Sequence, residues 1–189
     1  MNASQNISVL GRTEQGVASQ TMWIVLFTAA TAIGARVEIP HQPVPYTLQT
    51  MFVLLSGAFL GARNGALSQM LYLGIGLLGA PVFSMGGFGI AKLLGPTGGY
   101  LLAFPVAAGL VGFVIQQRRT LVWSFISMAA GLMVIFASGT IQLYAVVFKN
   151  WGDAFSAGLL IFSWWDVLKL SAAAMTYHEV AKRWPRIPG

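Results

Sequence analysis

The sequence predicts an all-α membrane protein of six transmembrane helices with both termini in the cytoplasm, and three observations lead there. The first is composition. Of 189 residues, 56% are hydrophobic and only 8% are charged, whereas an ordinary soluble domain carries about 25% charged residues. A water-facing surface takes roughly 25–35% Lys, Arg, Glu and Asp, and 11 Lys+Arg with 5 Asp+Glu cannot supply it. The mean hydropathy of +0.71 agrees. The second observation is a series of apolar runs separated by short polar breaks, and the third is the distribution of Lys and Arg among those breaks.

Taken in order, residues 1–20 are polar and lack the basic start and apolar core of a secretory signal, so they read as a loose cytoplasmic lead-in. A single membrane domain follows over 21–184, with 185–189 as a tail. Its apolar runs cover 21–35, 47–62, 66–80, 97–115, 121–148, and a last stretch from about 155 or 163 to 182. The first three are shorter than the roughly 20 residues of a straight span, and each alone reads equally as a buried core helix. Six together, with almost no charge among them, favour the bilayer.

Cytoplasmic loops carry the excess of Lys and Arg. Six spans place Arg12, Arg63, Arg118, Arg119, Lys182, Arg183 and Arg186 on the side of the termini and Arg36, Lys92 and Lys149 opposite, with Lys169 inside a span. This puts both termini in the cytoplasm. The formal charge of +6 does not indicate nucleic acid, because such binding needs the cations gathered on one face or stripe. With no Cys, disulfides, thiolate metal sites and cysteine nucleophiles are excluded.

The two outer connections, VEIPHQPVP (37–45) and PVFSMGGFG (81–89), are too rich in Pro and Gly for helix. Irregular backbone at a membrane persists where protein buries it or where it lines a cavity, so two such loops on the outer face imply a roofed pocket opening outward. The inner connections, at 63–65 and 116–120, are short. The sequence contains no P-loop and no paired broken helices of the kind that mark complete secondary transporters, which implies partners.

Asp166 and Lys169, in SWWDVLKL (163–170), share a helix face at spacing i, i+3. Charge inside a span is costly and marks function by default; the alternative is a structural ion pair. An ionised Asp only accepts hydrogen bonds and a Lys only donates them, so the pair suits a ligand offering N–H groups to one and a carbonyl or carboxylate to the other. Thr47 and Gln49 stand where the first outer loop enters the second helix, as ligand contacts or as an N-cap and a polar filler. Tyr100, after GPTGG (95–99), is a pocket donor or a tyrosine of the interfacial belt. Phe83, Trp164 and Trp165 are apolar walls or interfacial anchors. His41 and His178 lie at opposite ends of the topology, which excludes a joint metal site. Small residues at Thr28/Ala32, Ala30/Gly34 and Thr31/Ala35 permit close helix approach, within the chain or to a partner.

PVPYTLQTMFVLLSG (43–57), GALSQMLYL (65–73), GAPVF (79–83) and LGPTGGYLLAFP (94–105) together resemble the BioY family, the biotin-specific substrate-binding (S) components of energy-coupling factor (ECF) transporters. The resemblance runs from about residue 30 to the C-terminus. It implies an S-component-like bundle in a bacterial or archaeal cell membrane, with an outward biotin pocket closed by the loop between the first two helices. It further implies an ECF transmembrane coupling protein and ABC-type ATPase subunits as partners, no enzyme activity and no cofactor, biotin being the transported ligand. The family's Asp-x-x-Lys, matched by Asp166 and Lys169, contacts the ureido head; the Pro-Val-Phe loop and the Gly-Pro-Thr-Gly-Gly segment line the pocket, which carries over to Phe83, Gly86 and Tyr100. Two departures stand out. Ile161-Phe162 and Trp164-Trp165 replace the Pro-Phe and Pro-Gly that often begin the last helix, and Ala30 and Gly34 meet the coupling pattern of the first helix only loosely. An S component for another vitamin, an intramembrane enzyme using Asp166 as acid or base, and a purely structural subunit are the rival readings.

Overall fold

The structure, a computed structural model, describes the backbone of residues 3–159 and 164–183 and the side chains within 16–159 and 164–182. It is built of α1 (Ala3–Arg36), β1 (Glu38–Ile39), β2 (Tyr46–Thr47), α2 (Gln49–Leu77), α3 (Gly89–Leu94), α4 (Gly98–Gln117), α5 (Leu121–Leu143), α6 (Trp151–Gly158) and α7 (Trp164–Arg183). Helices dominate because lipid leaves backbone polar groups no partner outside the segment itself. Among the described residues four helical stretches are long and apolar enough to cross a membrane: Gly16–Arg36, Gln49–Leu77, Gly98–Gln117 and Leu121–Phe148.

Two of these differ from the sequence expectation. Residues 3–20, expected as a loose lead-in, belong to α1. The first proline is Pro40, so nothing interrupts a helix already nucleated by the apolar run, and extension avoids the nucleation cost. The second and third apolar runs form one 29-residue element, α2, whose helical geometry breaks at Gly61 (φ 78, ψ 180) and not at the expected 63–65. That backbone region is open essentially to Gly alone. The chain reverses there. Gln49 donates to the Tyr72 hydroxyl, although 23 residues of straight helix would separate them by about 35 Å; Gln69 Nε2 donates to Ser56 Oγ at 3.0 Å. The two arms, 49–60 and 62–77, therefore run antiparallel.

Glycines close this hairpin and weld it to α4. A Cβ on Gly57 would lie 2.2 Å from the Ala108 carbonyl oxygen, one on Gly112 would lie 2.3 Å from the Ala62 nitrogen, and one on Gly65 would lie 2.8 Å from Gly57 Cα. The α1 helix closes on α2 through its small and polar face: Thr28 Oγ1 donates to the Ser68 carbonyl at 2.8 Å, Gln69 Nε2 donates to Thr31 Oγ1 at 3.2 Å, and Gly34 sits beneath the Phe52 ring. Packing within the chain thus occupies Thr28, Thr31 and Gly34.

After α5 the chain passes through a π-helical turn (Tyr144–Phe148) to Lys149, whose left-handed backbone (φ 51) ends it. Asn150 then caps α6, its side chain accepting from the Gly152 N–H at 2.9 Å. The last apolar stretch is accordingly two helices, α6 and α7, with Asp166 in the first turn of α7. Ile161, Phe162 and the tail 185–189 lie outside the described residues.

Candidate functional site

The Pro- and Gly-rich loops meet at one end of the bundle. β1 and β2 pair antiparallel, Glu38 with Thr47 and Ile39 with Tyr46, and fold the first loop back on itself. Its exit is pinned to α1 by the Leu48 N–H, within 3.1 Å of both the Gly34 and Val37 carbonyls. The second loop is tied to the first: the Met85 N–H donates to Glu38 Oε2 at 2.9 Å, and Arg36 donates to the Pro81 carbonyl. Its tight turn uses Met85 and Gly86 at positive φ (58 and 67).

Beneath these loops lies a partly enclosed cavity. Its roof is Val44, Pro45, Tyr46 and Thr47, with Ser84 and Thr97 at the edge; α2 contributes Gln49 and Thr50, α4 Tyr100, Leu101 and Phe104, α5 Ile135 and Phe136, and α7 Asp166 and Lys169. One wall is apolar and aromatic. The opposite pole is charged: Lys169 Nζ lies 2.7 Å from Asp166 Oδ1, with Asp166 2% and Lys169 4% exposed. Desolvating two charges is costly and tolerated only when they are paired and hydrogen-bonded. Lys169 meets that condition, donating also to the Thr47 carbonyl at 2.9 Å and to Thr50 Oγ1 at 3.0 Å. Asp166 stands in the first turn of α7, where the positive end of the helix dipole favours an anion. Burial, and then the charge of Asp166, push the Tyr46 phenol above its ordinary pKa.

A hydrogen-bond chain supports this pole. Thr47 Oγ1 donates to Gln49 Oε1 at 3.0 Å and accepts from the Gln49 N–H at 3.3 Å; Gln49 Nε2 donates to the Tyr72 hydroxyl, which donates to the Val82 carbonyl at 3.0 Å. Tyr100 is fixed by donation to the Gly158 carbonyl at 3.1 Å.

Of the residues singled out by sequence, Asp166, Lys169, Thr47, Gln49 and Tyr100 converge on this cavity. Phe83 and Gly86 do not line it. Phe83 is fully buried, edge-on to Tyr72 at 5.5 Å, and Gly86 serves the turn beside Arg36. Trp164 is exposed. Glu179 and Lys182 form a solvated pair at 2.7 Å. Sequence reasoning missed Tyr46, Thr50, Phe104, Ile135 and Phe136. Helical spacing from a residue already named would have found one of them, Phe104 four after Tyr100; Thr50 follows the strand that holds Thr47, and Ile135 and Phe136 sit in an apolar run that marks neither.

The BioY family model matches residues 4–186. The chain belongs to the BioY family. It is 39% identical over 150 residues to the biotin transporter BioY of Thermotoga maritima, covering 79% of this chain and 88% of that one. It is 38% identical over 158 residues to the probable biotin transporter BioY of Pyrococcus horikoshii, covering 84% and 93%. The fold matches, with a TM-score of 0.81, the crystal structure of the S-component for biotin from an ECF-type ABC transporter, at 24% identity over 96% of this chain and 95% of the other. This BioY chain is therefore a membrane protein and not an enzyme, so Asp166 is not a catalytic acid or base.

Proposed function

We propose that this chain is the biotin-capturing subunit of an uptake system, and the observation that carries the proposal is the cavity with one buried charged pole and one apolar wall. Biotin has the same two-sided character. Its ureido N–H groups suit the Asp166–Lys169 pole, and its thioether ring and aliphatic chain suit Leu101, Phe104, Ile135 and Phe136. Thr47, Gln49, Tyr46 and Tyr100 frame the polar end. The names of the relatives in Thermotoga and Pyrococcus support the same ligand.

The further reading is a six-span domain over 21–184 in a bacterial or archaeal cell membrane. It is supported by the Gly61 reversal, which splits one of four span-capable stretches into two arms, and by the 20-residue α7 as the sixth helix. Arg36 contacts the second loop at the cavity end, whereas Gly61, near Arg63, approaches the Gln116 side chain, near Arg118. That segregation, with the Lys and Arg bias, supports a cavity facing outside and termini in the cytoplasm. Delivery inward then calls for a transmembrane coupling protein and ABC-type ATPase subunits; the ECF-type setting of the fold neighbour supports this.

The test is equilibrium binding of labelled biotin to the detergent-purified chain with unlabelled biotin, thiamine and riboflavin as competitors. Tight binding displaced by biotin alone is expected. Displacement by another vitamin, or no binding by folded protein, overturns the reading.

A further inference from the structure

We propose that Thr50 is a positioning residue of the cavity and that Lys169 acts as a clamp on the first outer loop. The argument starts from a count of donors. An ammonium has three N–H groups and no acceptor. Around Lys169 Nζ stand three acceptors at bonding distance: Asp166 Oδ1 at 2.7 Å, the Thr47 carbonyl at 2.9 Å and Thr50 Oγ1 at 3.0 Å. Every donor is matched inside the protein, so a carbonyl arriving with a ligand receives one only if a bond already made is given up.

The three acceptors come from three places. Asp166 shares the first turn of α7, Thr47 ends β2, and Thr50 lies in the first turn of α2. Lys169 therefore joins the last helix to the roof and to α2, at positions 122 and 119 residues away. Thr47 is held from its other side by the reciprocal bonds with Gln49, and the next residue by the Leu48 N–H at α1. A molecule reaching the cavity from the loop side displaces the 37–48 roof, and lifting that roof breaks the bond from Lys169 to the Thr47 carbonyl, while the bond to Thr50 in α2 keeps the ammonium in place to re-form it. The clamp consequently governs both arrival and departure. The Thr50 hydroxyl supplies an acceptor from the first turn of α2 and holds the ammonium against the Thr47 carbonyl.

The experiment compares Thr50→Val, close in shape but without the acceptor, with Thr50→Ser, which keeps it, in full-length protein in lipid nanodiscs. The kinetic arm rests on the biotin reading. In Thr50→Val, biotin association and dissociation should both accelerate, each by about tenfold for one charge-assisted bond lost, while the equilibrium affinity moves less than either rate; Thr50→Ser should return both rates to those of the parent chain. Faster dissociation alone is the usual mark of a lost ligand contact and would overturn the clamp. The second arm needs no ligand: amide hydrogen exchange across 37–48 should quicken in Thr50→Val and stay at the parent rate in Thr50→Ser. Unchanged exchange in Thr50→Val overturns the proposal. A parent chain that binds no biotin sinks the functional reading, and the exchange arm still decides the clamp.

Discussion

At the Gly61 end of the bundle α2 and α4 meet backbone to backbone, while between the cavity roof and α7 side chains reach across. Gly57 and Gly112 bring α2 and α4, and Gly65 the two arms of α2, so close that an added methyl group would overlap main-chain atoms. Around the cavity, contacts are hydrogen bonds of 2.7 to 3.3 Å among Lys169, Asp166, Thr47, Thr50 and Gln49. The first arrangement has no soft coordinate, because close-packed interiors resist even one extra methylene. The second can open by exchanging one acceptor for another. A protein that must admit a solute at one end and hold its helices in register needs this division.

The largest expected effect is at the rigid end. Gly57→Ala places a Cβ 2.2 Å from the Ala108 carbonyl oxygen, a main-chain atom that cannot swing aside. Overpacking costs about 1–3 kcal/mol and occasionally more, and here the upper part of that range is expected. Thermal unfolding in detergent reads it, and the fraction that remains folded should bind biotin with parental affinity. A stable Gly57→Ala protein with weakened binding would invert the comparison between the two ends.

This division also explains what the sequence disclosed. Membrane class and the long helices were legible because lipid imposes length and apolarity on every span, and the two irregular loops because Pro and Gly break helix. The Asp166–Lys169 pair was legible because charge in such a helix is conspicuous. The site of the Gly61 reversal was not, since Arg63-Asn64-Gly65 looks more like a connection and the deciding quantity is a backbone angle. Phe83 and Gly86 stood in the right motifs, but their neighbours are Tyr72, Gly76 and Arg36, which are set by tertiary packing. Ile135 and Phe136 were hidden for the opposite reason: in a helix apolar all round, no periodicity tells a ligand-facing residue from a lipid-facing one.

The next effect in size tests the soft end. Asp166→Asn removes the negative charge but keeps a carbonyl oxygen able to accept from Lys169, so the roof should stay fastened while the ligand loses its charged acceptor. One charge-assisted bond is worth about 1.5–3 kcal/mol, or roughly 10- to 150-fold in biotin affinity. Equilibrium binding measures it. An unchanged dissociation constant would remove Asp166 from the ligand's surroundings and leave the pair a structural one.

The smallest effect separates the cavity from the turn beside it. Gly86→Ala keeps the space, since the nearest atom to the added Cβ is Arg36 Nη1 at 3.4 Å, but asks an L residue to hold φ 67. Left-handed backbone costs such a residue roughly 1–2 kcal/mol, and the strain falls on the segment tied to Glu38 by the Met85 N–H. Because Gly86 stands outside the cavity wall, biotin affinity should change by less than about threefold, 0.6–0.7 kcal/mol by the usual conversion, while hydrogen exchange at 84–87 quickens. If affinity instead falls tenfold with exchange unchanged, the methyl has met the ligand directly. Gly86 would then belong to the binding surface, and the soft end would extend further up the second loop than the cavity in this structure does.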